Sequence, residues 1–203
     1  MEPLIVVSFQ CARAISAAFA LTWLVGCGAG AKPAPAPPCD QTCQDGVALR
    51  ALRTEMKLAF NLTVMGQPVG AQDETVPCLP IGDSGVGSVH VFGDAESNAD
   101  QGSTFLNPLN YDFKNCAYSM PPDETADQNF SIVLTGLITE QGTLAQQPTT
   151  TTALGIQSTS VTLTGTVYDP PLDYTASDCA LSVNQNGSLV AGTFCGRAAG
   201  FTF

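Results

Sequence analysis

A chain of 203 residues fits one ordinary domain plus a short appendage, not several domains. Charged residues are only 12% of it, with 7 Lys+Arg against 18 Asp+Glu and a net charge of −11, which excludes a phosphate-neutralising grip on nucleic acid and a polybasic membrane patch. One histidine leaves almost no material for imidazole catalysis or metal ligation, while 44% hydrophobic residues with 14 Pro and 19 Gly describe a folded, turn-rich chain.

The chain opens MEPLIVVSFQCARAISAAFALTWLVGCGAG. After Arg13 an apolar stretch runs from Ala14 to Val25, bordered by Gly26, Cys27 and Gly28. Its length falls within the roughly 7–15 residues of a secretory core and short of the roughly 20 that span a bilayer. Leu24-Val25-Gly26-Cys27 resembles the bacterial lipobox, in which an aliphatic residue, a small or aliphatic one, and Gly or Ala precede Cys. The resemblance implies that residues 1–26 are a lipoprotein signal peptide, that Cys27 is thioether-linked to a diacylglycerol, and that its new amine is acylated (with palmitate or a similar chain). Several acyl chains on one residue anchor firmly, where a single chain binds only marginally. The region before the core departs from the pattern, with Glu2 and a single basic side chain, as if the true start lay further downstream. Gly28 stands where an Asp would retain a Gram-negative lipoprotein in the inner membrane, which implies the outer membrane, at its periplasmic face or the cell surface. Residues 28–38 alternate Pro with Ala and read as a semi-stiff polyproline II tether of about 30 Å at most.

Six cysteines follow the lipidated one: Cys39, Cys43, Cys78, Cys116, Cys179 and Cys195. An even count in an exported chain implies disulfides. Without CxxC pairs or companion histidines they suit neither zinc nor thioredoxin-like exchange, so no metal and no cofactor is expected. Cys179 and Cys195 flank the turn signal Asn186-Gly187, where a three-residue loop would bring them face to face. Cys39 and Cys43, at i, i+4 on one helix face, are expected to reach partners elsewhere, tying the helix to Cys78 and Cys116.

Residues 39–203 read as a single disulfide-braced domain. A helix over 40–64 is predicted from Leu49, Leu52, Met56, Ala59 and Thr63, with Arg50, Arg53, Lys57 and Asp45 mostly off that stripe. Asp40 is its candidate N-cap and Gly66 its candidate stop. Beyond Gly66 the period changes to two. Short strands are predicted at Ser88–Phe92, Tyr111–Lys114, Phe130–Thr135, Ser160–Thr164 and Ala180–Val183. Each of Gly93, Gly136, Gly165 and Gly192 closes a strand-like run, suiting bends or bulges where a sheet coils. The expected class is α+β: an N-terminal helix packed on a curved antiparallel sheet or partly open barrel. In outline this resembles envelope lipoproteins and lipid carriers with a half-barrel around a helix. The body is similar to cysteine-containing envelope lipoproteins of Gram-negative bacteria, a likeness that brings no activity with it.

Each string tested for chemistry fails. Gly82-Asp-Ser-Gly85 matches the nucleophile core of chymotrypsin-like proteases, and its first three residues match the GDS block of GDSL-type esterases. Both need a histidine base, and His90, six residues after Ser84, occupies the position of neither. His90 instead alternates with Val89 and Val91 as a half-exposed strand residue. Asp94-Ala-Glu-Ser-Asn-Ala-Asp100 begins like an EF-hand, but Ala99 holds the glycine position and Phe105 the twelfth, leaving a solvated acidic loop. Trp23 leaves with the signal peptide, so any sugar-stacking surface would fall to Tyr111, Tyr118, Tyr168 or Tyr174. The expected protein is a non-catalytic, lipid-anchored envelope component, with the membrane and an envelope protein as partners. A carrier that holds a small hydrophobic or amphiphilic ligand on the concave face of the sheet against the helix 40–64 is the alternative, and a serine hydrolase a remote one.

Overall fold

In the computed structural model the described residues are 38–65, 70–78, 87–98, 100, 102–120, 125–147 and 150–203. The expected signal peptide (residues 1–26), Cys27, nearly all of the expected tether, Gly66 and Ser84 lie outside them. Residues 38–203 form one compact unit.

Among the described residues one α-helix, α1 (Gln41–Thr63), precedes eight strands, with a single 3-10 turn (Ala126–Gln128) between the third and fourth: β1 (Gly70–Pro77), β2 (Ser88–Asn98), β3 (Ser103–Ser119), β4 (Phe130–Ala145), β5 (Ala153–Val167), β6 (Leu172–Asn186), β7 (Leu189–Phe194) and β8 (Arg197–Thr202). They make a single antiparallel meander in sequence order, open at β1 and β8. The fold is therefore the expected α+β class, a helix on an unclosed curved sheet.

The helix begins as the sequence suggests. Asp40, extended at φ −73° and ψ 179°, accepts a hydrogen bond from the Cys43 amide at 2.9 Å. The stripe Leu49, Leu52, Met56, Ala59 and Thr63 is buried throughout. The supposed polar side is buried too: Asp45, Arg53 and Glu55 are at most 2% exposed. The expectation for Asp45 and Arg53 is thus corrected. A helix lying on a flat sheet buries one stripe, whereas α1 touches β1 to β5 and packs most heavily on β8, so the sheet covers much of its circumference.

The sheet coils because its long strands are interrupted. Register shifts interrupt the pairing at Gly93/Ala95, Leu106/Leu109, Phe113/Cys116, Gly136/Thr139 and near Val161. At Gly93, φ is +133° and a Cβ would lie 2.2 Å from the Pro108 carbonyl oxygen; only glycine fits there. Bulges of this kind sharpen the local twist. All five predicted strand segments fall inside longer strands, while β1 and β8 were not anticipated and β7 only as the return arm of a hairpin. The acidic run from Asp94 is corrected: residues 94–98 are the end of β2, paired with β3, not a loop.

The disulfides differ from expectation in two of three. Cys179–Cys195 forms as predicted, with Cα atoms 4.6 Å apart. Its hairpin turns on two residues, Gly187 and Ser188, because Asn186 still pairs with Leu189. Cys39 joins Cys43, and Cys78 joins Cys116. The i, i+4 argument assumed two helical residues, but Cys39 precedes the extended cap residue. The chain folds back there and brings the two Cα atoms to 5.2 Å. Cys78, just past β1, lies against Cys116 on β3, with the two Cα atoms 5.5 Å apart.

Candidate functional site

The buried polar side of α1 meets the sheet in three clusters. Near its N-terminus, Asp45 accepts hydrogen bonds from Arg197 Nε (2.7 Å) and Nη2 (2.9 Å), from the Tyr174 hydroxyl (2.8 Å) and from Gln41 Nε2 (2.9 Å). Burial raises its carboxyl pKa, but Arg197, Gln41 and Tyr174 outweigh it and leave the group lowered, held as a carboxylate. The Tyr174 hydroxyl moves up, first through burial and then through the carboxylate it serves. Both carboxylate oxygens accept, so the cluster is a clamp between α1, β6 and β8.

Two turns on, Arg53 donates from Nε to Gln185 Oε1 at 2.8 Å, and its Nη2 lies 3.0 Å from Glu140 Oε1. Tyr111 donates to Glu140 Oε2 at 2.8 Å. The ion pair is close but not aligned as a hydrogen bond, and Glu140 Oε1 accepts none. Burial, then the Glu140 charge, lifts the Tyr111 hydroxyl well above its ordinary value.

Glu55 forms the third. Its Oε1 lies 2.8 Å from Cys116 Sγ and its Oε2 has no hydrogen-bond partner. Burial pushes its pKa up to about 7. A disulfide sulfur carries no proton, so the one hydrogen bond available has the protonated carboxyl as donor and sulfur as weak acceptor. Glu55, Cys78 and Cys116 hold donor atoms within 4.8 Å of one another. Both sulfurs are bonded to each other, and a metal would need them as thiolates.

Between the C-terminal half of α1 and the end of the sheet lies an open cleft of about 850 Å³. Helix residues Arg53, Lys57, Phe60 and Val64 form one wall, and Leu144, Gln146, Gln185 and Phe203 lie among the others. Their spacing of 4, 3 and 4 keeps the four helix residues on one face. Lys57 Nζ sits 5.2 Å over the Phe203 ring. The centre of the concave face is by contrast full. Leu49, Leu52, Met56, Tyr111, Phe113 and Leu134 are buried there to within 1% and belong to one continuous core.

The residues singled out in the sequence fare unevenly. His90 is half-exposed between buried Val89 and Val91, as its alternation implies, and its Nε2 is 2.7 Å from Asp73 Oδ1. Ser84 is outside the described residues, so that pair acquires no geometry. Tyr111, Tyr118 and Tyr174 are buried and offer no face to a sugar, and Tyr168 packs partly against the core. Arg53, Glu55, Glu140 and Gln185 were not anticipated as a site. One signal was available for Asp45: it continues the 45, 49, 52, 56, 59, 63 row of the core stripe, where a charge demands a partner.

No family model matches this chain, and no curated protein or solved structure is significantly similar to it.

Proposed function

We propose that the chain is an exported, lipid-anchored envelope lipoprotein whose folded body is a non-catalytic structural or interaction module. Residues 1–26 direct export, Cys27 carries the lipid, and the Pro/Ala segment holds the body off the membrane, by the outer-membrane sorting logic of Gly28. The observation that carries the non-catalytic reading is the use of the charged groups. Asp45, Arg53 and Glu140 are spent on contacts between helix and sheet, and Glu55 is sealed beneath the helix. Buried charges so paired are structural commitments, since breaking one costs several kcal/mol. Three disulfides among the described residues suit an oxidising compartment. The test is the intact mass of the protein recovered from envelope membranes. An N-terminus at Cys27 carrying diacylglycerol and an amide-linked acyl chain is expected, and Cys27→Ser should remain unprocessed. A lipid-free N-terminus elsewhere would refute the anchor.

A second reading, carriage of a small amphiphile, is favoured by the cleft alone. It moves the ligand from the concave face, which the protein fills with its own side chains, to the end of the sheet. A cleft of about 850 Å³ is within the usual range of about 300–1,000 Å³ for small-molecule sites.

A further inference from the structure

The cleft is unusual for this molecule in its charge. The chain has 18 acidic residues against 7 basic ones, yet among the described residues no Asp or Glu side chain lines the cleft, and two of the basic residues do. Beyond Lys57 only Lys114 and Arg197 are basic, so positive charge is concentrated on this helix face. Arg53, at the floor, is neutralised by Glu140 and held by Gln185. Lys57, one turn along, is different: among the described residues its ammonium has no carboxylate within ion-pair distance, and its contact is the Phe203 ring. Among the described side chains of the cleft it is thus the cation without an ion-pair partner.

The apolar side of the cleft lies in one direction from that charge. Phe60 and Val64 follow Lys57 on the same helix face, Val64 about 10 Å further along the axis at 1.5 Å per residue. Leu144 and Met65 extend the apolar lining. Of the large apolar side chains exposed among the described residues, Met65 and Phe203 line the cleft. An exposed apolar group beside an open cleft marks a place where something apolar can be covered.

We propose that this cleft binds a single-tailed anionic amphiphile of the fatty-carboxylate class. Its carboxylate is taken by Lys57, with Gln146 and Gln185 nearby as polar lining, and its tail lies along Phe60, Val64 and Met65 towards Leu144. This rests on the carrier reading and adds the sign of the head group and the residue that takes it. The net charge of −11 opposes approach from afar, but that field is screened beyond about 8 Å at physiological ionic strength. Among the described side chains lining the cleft, the one charge without an ion-pair partner is positive.

The test uses the protein as the cell exports and processes it, in nanodiscs of zwitterionic phospholipid so that no detergent competes. The probes are carboxyl-labelled ¹³C-dodecanoate and C1-labelled ¹³C-dodecanol, each read by NMR against empty nanodiscs. A saturable dodecanoate resonance, one per protein, is expected. Lys57→Met should weaken it at least tenfold, whereas Lys114→Met, on the distant strand β3, should leave it unchanged. Dodecanol should bind at least tenfold more weakly than dodecanoate and be indifferent to Lys57→Met. Equal binding of both probes, unaffected by Lys57→Met, would overturn the anionic head while leaving carriage standing. If neither probe gives a bound resonance, both readings fall. Since Lys57 is exposed, the variant should fold, and an unchanged circular dichroism spectrum checks this.

Discussion

Replacing Glu55 by Gln should stabilise the protein at neutral and alkaline pH, against the usual rule that core substitutions destabilise. Glu55 is 2% exposed, one oxygen faces a disulfide sulfur and the other has no hydrogen-bond partner. Burial moves its pKa from 4.5 to about 7. The sign follows from proton counting: between pH 4.5 and 7 the unfolded chain has released this proton and the folded one retains it. Stability therefore falls as pH rises through that window, and levels off above it. At 1.36 kcal/mol per pH unit the loss is about 3 kcal/mol. Gln has the same shape, can donate to Cys116 Sγ as the neutral carboxyl does, and never ionises. Urea unfolding of the oxidised protein, followed by circular dichroism, measures the difference between variant and wild type at each pH, so that the other carboxylates cancel. Near pH 4.5 the two should agree within about 1 kcal/mol, and at pH 8 the variant should lead by up to about 3 kcal/mol. A difference that stays constant with pH, or one that turns against Gln as pH rises, would mean that the ionised carboxylate has a stabilising partner. The account of Glu55 would then be wrong.

Other outcomes test the remaining clusters. Arg53→Met strands the buried Glu140 charge and should cost about 3–5 kcal/mol; Arg53→Met with Glu140→Gln should cost clearly less than the single variant, read from urea midpoints. Removing the Cys78–Cys116 bridge, with a sequence separation of 38, should cost about 4 kcal/mol on the chain-entropy estimate, against about 2 for Cys39–Cys43 with a separation of 4. Thermal unfolding of the paired Ser variants checks that order. Gly93→Ala forces a Cβ into the Pro108 carbonyl and should lose roughly 1–3 kcal/mol or more. Gly155→Ala, with ordinary φ and its nearest neighbour at 3.8 Å, should be neutral or gain about 0.4–1 kcal/mol.

Much of the architecture can be read in the chain because it is written in local terms. Period and capping place α1 between Asp40 and Thr63, and alternation places five strands, since those patterns record which face of an element is buried. The Gly187 turn brings Cys195 to Cys179 for the same reason: a hairpin is a short-range object. Strand lengths were less legible, since β3 runs 17 residues through two bulges that break the alternation. Edge strands such as β1, with Asp73 and Glu74 and few β-branched residues, carry little signal because one side of them pairs with nothing.

What the tertiary structure alone decided is the fate of the charges. Whether Asp45, Arg53 and Glu55 face water or the interior depends on how far the sheet wraps around the helix. That curvature is the sum of bulges and glycine bends spread from Gly93 to Val161, a property of the whole sheet that no window of sequence contains. The partners are equally remote: Arg197 stands 152 residues from Asp45, and Gln185 132 from Arg53. The cleft likewise brings the C-terminal half of α1 together with residues of β2, β3, β4 and β6. The proposal of export and anchoring rests on contiguous residues, since a signal peptide and a lipobox act as linear strings. Pairing, burial and the sign of the cleft's charge belong to the fold, since each requires side chains far apart in the chain to meet.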